Sequence, residues 1–217
     1  MPKTHVECFE SGPLGCLCSI VADLDAKTAL VIDPGGDAEY IEERLAALGC
    51  TLARVVHTHT HFDHVGATPD LQNAHGCPCE IHEADRFLYD LLPVQAAMFG
   101  MVNPAKAQID GTLVDGRPIA LGGLELDVLH VPGHTPGSTA FFLPNGGPKG
   151  EPIVFAGDTL FQGSVGRTDL WGGDQSALVT SVKKKLYTLA DEAIVVPGHG
   201  PATTIGAEKR SNAFVRA

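Results

Sequence analysis

Apolar and polar positions change over in short runs, separated by breaks rich in Gly and Pro. That pattern predicts many short strands interleaved with a few helices, not a bundle of long helices. His5 to Phe9, Leu14 to Ala22 and Leu30 to Asp33 read as strands, the last closed by Pro34-Gly35-Gly36. A helix is expected from Asp37 to Leu48, with Tyr40, Ile41, Arg44, Leu45 and Leu48 on one face and Gly49 in a C-cap position. Thr51 to His57 reads as a strand, Thr58 to His64 as a polar loop, and Val65 to Ala74 as a helix with Pro69 in its first turns. Cys79 to His82 is a short strand. Glu83 to Met101 is a helical stretch broken at Pro93; Met98, Phe99 and Met101 suggest core packing, with an apolar flap as the alternative.

Strands return at Thr112 to Asp115, Arg117 to Leu121, Leu124 to His130, Thr139 to Leu143 and Pro152 to Ala156. A long helix is predicted from an Asp174 N-cap to Leu189, with Leu178, Val182, Leu186 and Leu189 as its apolar stripe. Ala193 to Val196 is the last strand, and Gly206 to Phe214 a short closing helix. Two sheets covered by outer helices pack this order most naturally. The expected fold is therefore α/β, a four-layer αββα sandwich, formed as one domain over residues 1–217. A doubly wound parallel sheet would alternate strand and helix more regularly and open with a Gly-rich turn.

Composition narrows the function. The chain has 26 acidic and 15 basic residues, a net charge of −11, which disfavours nucleic acid as a partner. No apolar run approaches the roughly 18 residues of a membrane span, and the N-terminus lacks a leader's apolar core, so no membrane association and a cytoplasmic location are expected. The six cysteines form no CxxC pair and read as small buried hydrophobes, not as a disulfide framework.

The histidines carry the chemistry. Thr58-His59-Thr60-His61-Phe62-Asp63-His64 follows the buried run Val55-Val56, so three imidazoles and a carboxylate lie at one strand end. Three further segments each place one candidate ligand in a tight turn after an apolar strand. They are Val131-Pro132-Gly133-His134, Phe155-Ala156-Gly157-Asp158-Thr159 and Val196-Pro197-Gly198-His199. Neutral imidazole and carboxylate are good ligands for Zn²⁺ and Fe²⁺. His59, His61, Asp63, His64, His134, Asp158 and His199 are too many for one ion and suit two ions sharing a carboxylate. His5, His57, His75, His82 and His130 lack this context; His57 and His130 are candidates for supporting the ligands from behind.

Together, HxHxDH, the later His, the Asp of Gly157-Asp158-Thr159 and the terminal Gly198-His199-Gly200 resemble the metallo-β-lactamase superfamily, whose fold is the same αββα sandwich. Asp at position 158, with Gly157-Asp158-Thr159-Leu160-Phe161, is similar to glyoxalase II in its short bacterial form. The chain continues only 18 residues past His199, leaving no counterpart for the added C-terminal helical region of full-length glyoxalase II. By that resemblance His59, His61 and His134 hold one ion, Asp63, His64 and His199 hold the other, and Asp158 bridges them.

The resemblance implies a hydrolase with two divalent ions, zinc first and iron or manganese as alternatives. It would cleave a thioester such as S-lactoylglutathione by a metal-bridging hydroxide, with Asp63 and Asp158 as the catalytic carboxylates. The implied partner is a small, glutathione-derived thioester, and the implied state a monomer or homodimer. Arg167 is the candidate for binding a substrate carboxylate, although Asp169 stands where the family supplies an aromatic contact. Lys209 and Arg210 are lesser candidates. The competing reading is a mononuclear iron persulfide dioxygenase on the same fold, which Gly166-Arg167-Thr168-Asp169 resembles.

Overall fold

A computed structural model describes residues 2–216. The N-terminal half forms a six-stranded sheet in the order β1 to β6: β1 (Thr4–Ser11), β2 (Cys16–Asp23), β3 (Thr28–Ile32), β4 (Thr51–Val56), β5 (Cys79–His82) and β6 (Gly111–Leu113). The first three strands run antiparallel, and β3 to β6 are mutually parallel. The parallel crossovers are made by helices: α1 (Ala38–Leu48), α2 (Phe62–Val65), α3 (Thr68–His75), α4 (Arg86–Asp90) and α5 (Leu92–Met98).

The second sheet is built from β7 (Ile119–Leu121), β8 (Leu124–His130), β9 (Thr139–Leu143), β10 (Ile153–Gly157), β13 (Ile194–Pro197) and β14 (Thr203–Thr204), in the order β14-β13-β10-β9-β8-β7. A small hairpin, β11 (Leu160–Phe161) with β12 (Ser164–Val165), follows β10. Helices α6 (Gln175–Ser181) and α7 (Ile205–Ser211) cover this half. No helix among the described residues is long and apolar enough to cross a membrane.

Side-chain alternation sorts the layers, and the expected αββα sandwich is what forms. In β3, Leu30 and Ile32 face the second sheet, where they meet Phe141, Phe155 and Val196; Ala29 and Val31 face Ile41, Leu45 and Leu71 of the outer helices. In β10, Phe155 faces inward while Val154 and Ala156 pack under Leu178, Val182 and Ile205. These strands are covered on both faces, so they read as continuous apolar runs.

Several expected elements need correction. The helix expected from Val65 to Ala74 is two helices, because α3 begins at Thr68 with Pro69 in its first turn, where a missing N–H costs nothing. Asp63 and His64 thus lie in a short helix of their own and not in a loop. The helix after Asp174 changes to π geometry over Val182–Leu186 and ends before Leu189. Core packing at Met98 and Phe99 does not hold: they are 63% and 44% exposed. Of the six cysteines, all free, Cys8 is exposed.

Candidate metal centre

The sandwich brings the C-terminal ends of β3, β4, β8, β10 and β13 to one rim. Each of these strands except β3, which runs into Asp33, is followed by a turn that carries one or more of the candidate ligands. Two backbone bonds, each from a strand of one half to a turn of the other, lock the rim together: Thr139 N–H of β9 donates to Thr58 O at 2.7 Å, and Leu17 N–H of β2 donates to Gly198 O at 2.7 Å.

All seven sequence-derived ligands converge here. His59, His61 and His134 form one set whose ligand atoms lie within 4.8 Å of one another; Asp63, His64 and His199 form a second. Asp158 stands between them. Its Oδ2 is 3.6 Å from His134 Nε2, and its Oδ1 is 3.7 Å from His64 Nε2. Asp63 Oδ2 lies 3.2 Å from His199 Nε2 and 3.8 Å from His64 Nε2. The turn at residue 198 requires glycine, because a Cβ there would collide with Asp158 Oδ1 and His64 Cε1.

Hydrogen bonds from behind orient several of the rings. His134 Nδ1–H donates to Arg167 O at 2.8 Å, which leaves Nε2 with its lone pair toward the centre. Asp33 Oδ2 accepts from Thr58 Oγ1 at 2.5 Å; the Thr58 hydroxyl in turn accepts from His59 Nδ1 at 3.0 Å. The same Oδ2 accepts from His64 Nδ1 at 3.1 Å. One buried carboxylate therefore sets the tautomer of a ligand in each set. Burial alone would raise the Asp33 carboxyl, but the imidazoles of His57 and His64 hold it down to about 2.

The donor set fits a divalent cation. His59 Nε2, His61 Nε2, His64 Nε2 and Asp158 Oδ1 are buried with no hydrogen-bond partner, and buried polar atoms normally have one. Burial, reinforced by neighbouring imidazoles, pushes His59 and His61 well below their ordinary range, and burial likewise lowers His134. All three are thus in the neutral form that binds a metal. Asp63 is lowered: burial would raise it, but His64 and His199 outweigh that.

A cavity of about 160 Å³ opens over the cluster, lined by His61, Asp63, His134 and Asp158 below and by Leu14, Phe62, Phe99, Leu170 and Trp171 at its walls. Phe99 thus belongs to this wall, its ring 5.5 Å from that of Phe62. Arg167 also lines the cavity, but its guanidinium is already paired with Asp169: Nε donates to Oδ1 at 2.7 Å and Nη2 to Oδ2 at 2.8 Å. The pair takes only the Nε–Nη2 edge of the guanidinium, and both partners are exposed. Lys209 bonds Asp191 and Leu189 O, which removes it as a substrate contact.

Three supporting residues escaped the sequence reading. Asp33 looked like the last residue of a strand; a charge closing the fully apolar run Ala29-Leu30-Val31-Ile32 was the available signal. Cys16 read as a small hydrophobe, yet its Sγ lies 3.3 Å from His64 Nδ1. Asp85, fully buried, accepts from Thr60 N, Thr135 Oγ1 and Gly137 N, tying the His59–His61 segment to the His134 turn. His57 does sit beneath Asp33, 3.6 Å from Oδ1. His130 reaches no ligand; it donates to Pro136 O in the His134 turn and stacks on His82 at 4.0 Å.

Comparison with known proteins agrees with this geometry. A family model for the metallo-beta-lactamase superfamily matches residues 11–199. The hydroxyacylglutathione hydrolase GloC of Haemophilus influenzae is 42% identical over 207 residues, covering 91% of this chain and 92% of that protein. The crystal structure of BLEG-1, a B3 metallo-beta-lactamase, superposes with a TM-score of 0.88 at 33% identity, covering 98% of this chain and 100% of that one. TTHA1623 in a di-iron-bound form gives a TM-score of 0.82 at 38% identity, covering 95% of this chain and 98% of that one.

Proposed function

Because the chain belongs to the metallo-beta-lactamase superfamily, we propose that it is a metal-dependent thioester hydrolase of the glyoxalase II type. The observation that carries this reading is Asp158, with one oxygen toward each ligand set. His59, His61 and His134 would hold one divalent ion, Asp63, His64 and His199 a second, and Asp158 would serve both. Zinc is the first candidate. The di-iron form of the similar TTHA1623 makes iron a close second, and manganese remains compatible with a His and carboxylate set. The bound ions supply Lewis-acid polarisation of a carbonyl oxygen and an acidified water at neutral pH.

The chain's own residues do the rest. Leu14, Phe62, Phe99, Leu170 and Trp171 shield the cavity from water and give an acyl or thiol group an apolar wall. Asp63 and Asp158 are the carboxylates that line it, and each keeps a small exposed edge toward the cavity, 11% and 15% of its side chain. A thiolate leaves without full protonation at neutral pH, so a thioester needs no dedicated general acid from the protein. The similarity to hydroxyacylglutathione hydrolase GloC supports the same reaction class.

The test is elemental analysis of freshly purified protein, paired with S-lactoylglutathione hydrolysis on the same sample. About two divalent ions per chain with thioester turnover is the expected result. About one iron per chain, with oxygen consumed on glutathione persulfide and no thioester turnover, would replace this reading by the persulfide dioxygenase.

A further inference from the structure

A second cavity adjoins the one over the metal centre. It measures about 130 Å³ and is lined by Pro13, Gly35, Gly66, Met101, Val102 and Pro104, while Phe62 and Asp63 line both cavities. Asp63 is the one charged residue among these, and its carboxylate is turned to His199, with Oδ2 3.2 Å from Nε2. The sequence accounts for the apolar wall: no residue between Asp90 and Lys106 is charged, in a chain with 26 acidic and 15 basic residues. That stretch is nonetheless open, with Met98 63% and Val102 91% exposed. Contiguous apolar surface beside a binding cavity marks a place that a ligand covers. The floor is bare for a different reason. A Cβ on Gly35 would collide with Asp63 O, and one on Gly66 with Gly35 O, so α2 rests backbone to backbone on the turn after β3.

The direction of a bound substrate follows from what lies on each side of the centre. The second cavity reaches it through Asp63 of the mixed set. Arg167 belongs to the side of the imidazole triad, where its carbonyl accepts from His134 Nδ1 at 2.8 Å; it is the one cation among the described residues lining either cavity. Its pair with Asp169 takes only the Nε–Nη2 edge, which leaves the Nη1 edge for a carboxylate on the thiol part of a substrate. With the thioester carbonyl over the ligand sets and the thiol part toward Arg167, the acyl chain runs toward Met101 and Val102. Resting on the thioester reading above, we propose that the second cavity is an acyl-binding subsite. An apolar cavity of about 150 Å³ accepts a benzene-sized group, so this one suits straight-chain aliphatic acyl groups of about six carbons, counting the carbonyl carbon outside it.

Methyl-labelled methionine reports occupancy directly by NMR. The chain has three methionines, Met1, Met98 and Met101, and Met101→Leu assigns the signal from the cavity. The experiment titrates zinc-loaded protein with straight-chain carboxylates from acetate to octanoate. Each is the acid released when water adds to the acyl carbon and the carbon–sulfur bond breaks, the free thiol being the other product. Affinity is expected to rise about twofold per methylene, half the full-burial value, to reach about fifteenfold at hexanoate and to level off by octanoate. The Met101 methyl is expected to shift with hexanoate and to stay in place with acetate. Val102→Asp puts a charge beside the chain at an open position that the fold tolerates, and is expected to cut the hexanoate gain about fivefold. Hexanoate no tighter than acetate, or bound with the Met101 methyl unmoved, would overturn the assignment. A Met101 methyl that shifts on dilution and not with hexanoate would give this face to a second copy of the chain and overturn it likewise. On the same protein S-hexanoylglutathione is expected to exceed S-lactoylglutathione about tenfold in kcat/KM, since only the acyl group differs. The reverse order would overturn the proposal. Turnover of neither, with hexanoate still moving Met101, would remove the thioester reading and keep the aliphatic subsite.

Discussion

The two ligand sets flanking Asp158 are built on different physics. His59, His61 and His134 are three imidazoles, none more than 7% exposed, kept neutral by burial. They are braced by Asp85, which grips the chain between the first two and the turn beyond the third. Asp63, His64 and His199 combine a carboxylate with two imidazoles, and 30% of the His199 side chain is open to solvent. A neutral buried set holds a dication by shape and preorganisation. A charged and partly open set holds it by Coulomb attraction, and solvent competes for it. On the proposed two-ion reading, the contrast predicts unequal sites, a tighter one at the imidazole triad and a looser one at the mixed set.

Asp158→Ala breaks the comparison most severely, because it removes the group that faces both sets. Turnover is expected to fall about a thousandfold or more, with both ions loosened. Elemental analysis and kcat on the same preparation check it, and a variant that kept two ions and normal turnover would remove the bridging role. Asp33→Asn comes next. Asn also tolerates the left-handed backbone that Asp33 adopts (φ 50°), so the fold should survive. The tautomers of His59 and His64 lose their anchor together, and metal affinity is expected to drop about 10- to 100-fold at both sites. A loss confined to one site would show that Asp33 serves only that set.

His199→Ala sharpens the comparison, since it touches the open set alone. The expected result is a fall from about two ions to about one per chain after dialysis, with the imidazole triad still loaded. Loss of both ions would mean that the triad is not an independent site, and the contrast in burial would then have no functional weight.

The parts of this centre that sequence revealed are those whose side chains have a distinctive chemistry in a repeated context. Four strand ends carrying His or Asp in Gly- and Pro-bounded turns pointed to one rim, and all seven ligands meet there. The sandwich was legible for a related reason: Leu124–His130, Thr139–Leu143 and Cys79–His82 form as expected because each is a compact run ended by a turn. Supporting groups were not legible, because their roles come from tertiary contacts. Asp33 and Thr58 are 25 residues apart, and Asp85 reaches its partners across 25 to 52 residues. Two-residue strands such as β11, β12 and β14 carry no periodicity to read. Phe99 was ambiguous, because an apolar residue that walls a cavity, as the flap alternative had it, has the same composition signal as a core residue.

The smallest effect tests the brace behind the imidazole triad. Burial raises the Asp85 carboxyl to about 6, against an ordinary 3.8, although three hydrogen bonds oppose the rise. The folded state therefore binds a proton at Asp85 before the unfolded state does as pH falls. Stability from this group increases as pH drops through about 6 and levels off below about 4, the reverse of a carboxylate in an ion pair. Between pH 7 and pH 5 the gain is about 1 kcal/mol. Asp85→Asn removes the titration while preserving shape. Urea unfolding of chelator-treated wild type and variant at the two pH values isolates the contribution as the change in their stability difference. The expected shift favours wild type at pH 5. A difference that stayed constant would mean that Asp85 titrates alike in both states, and the triad would then lack the buried, raised-pKa brace that separates it from the mixed set.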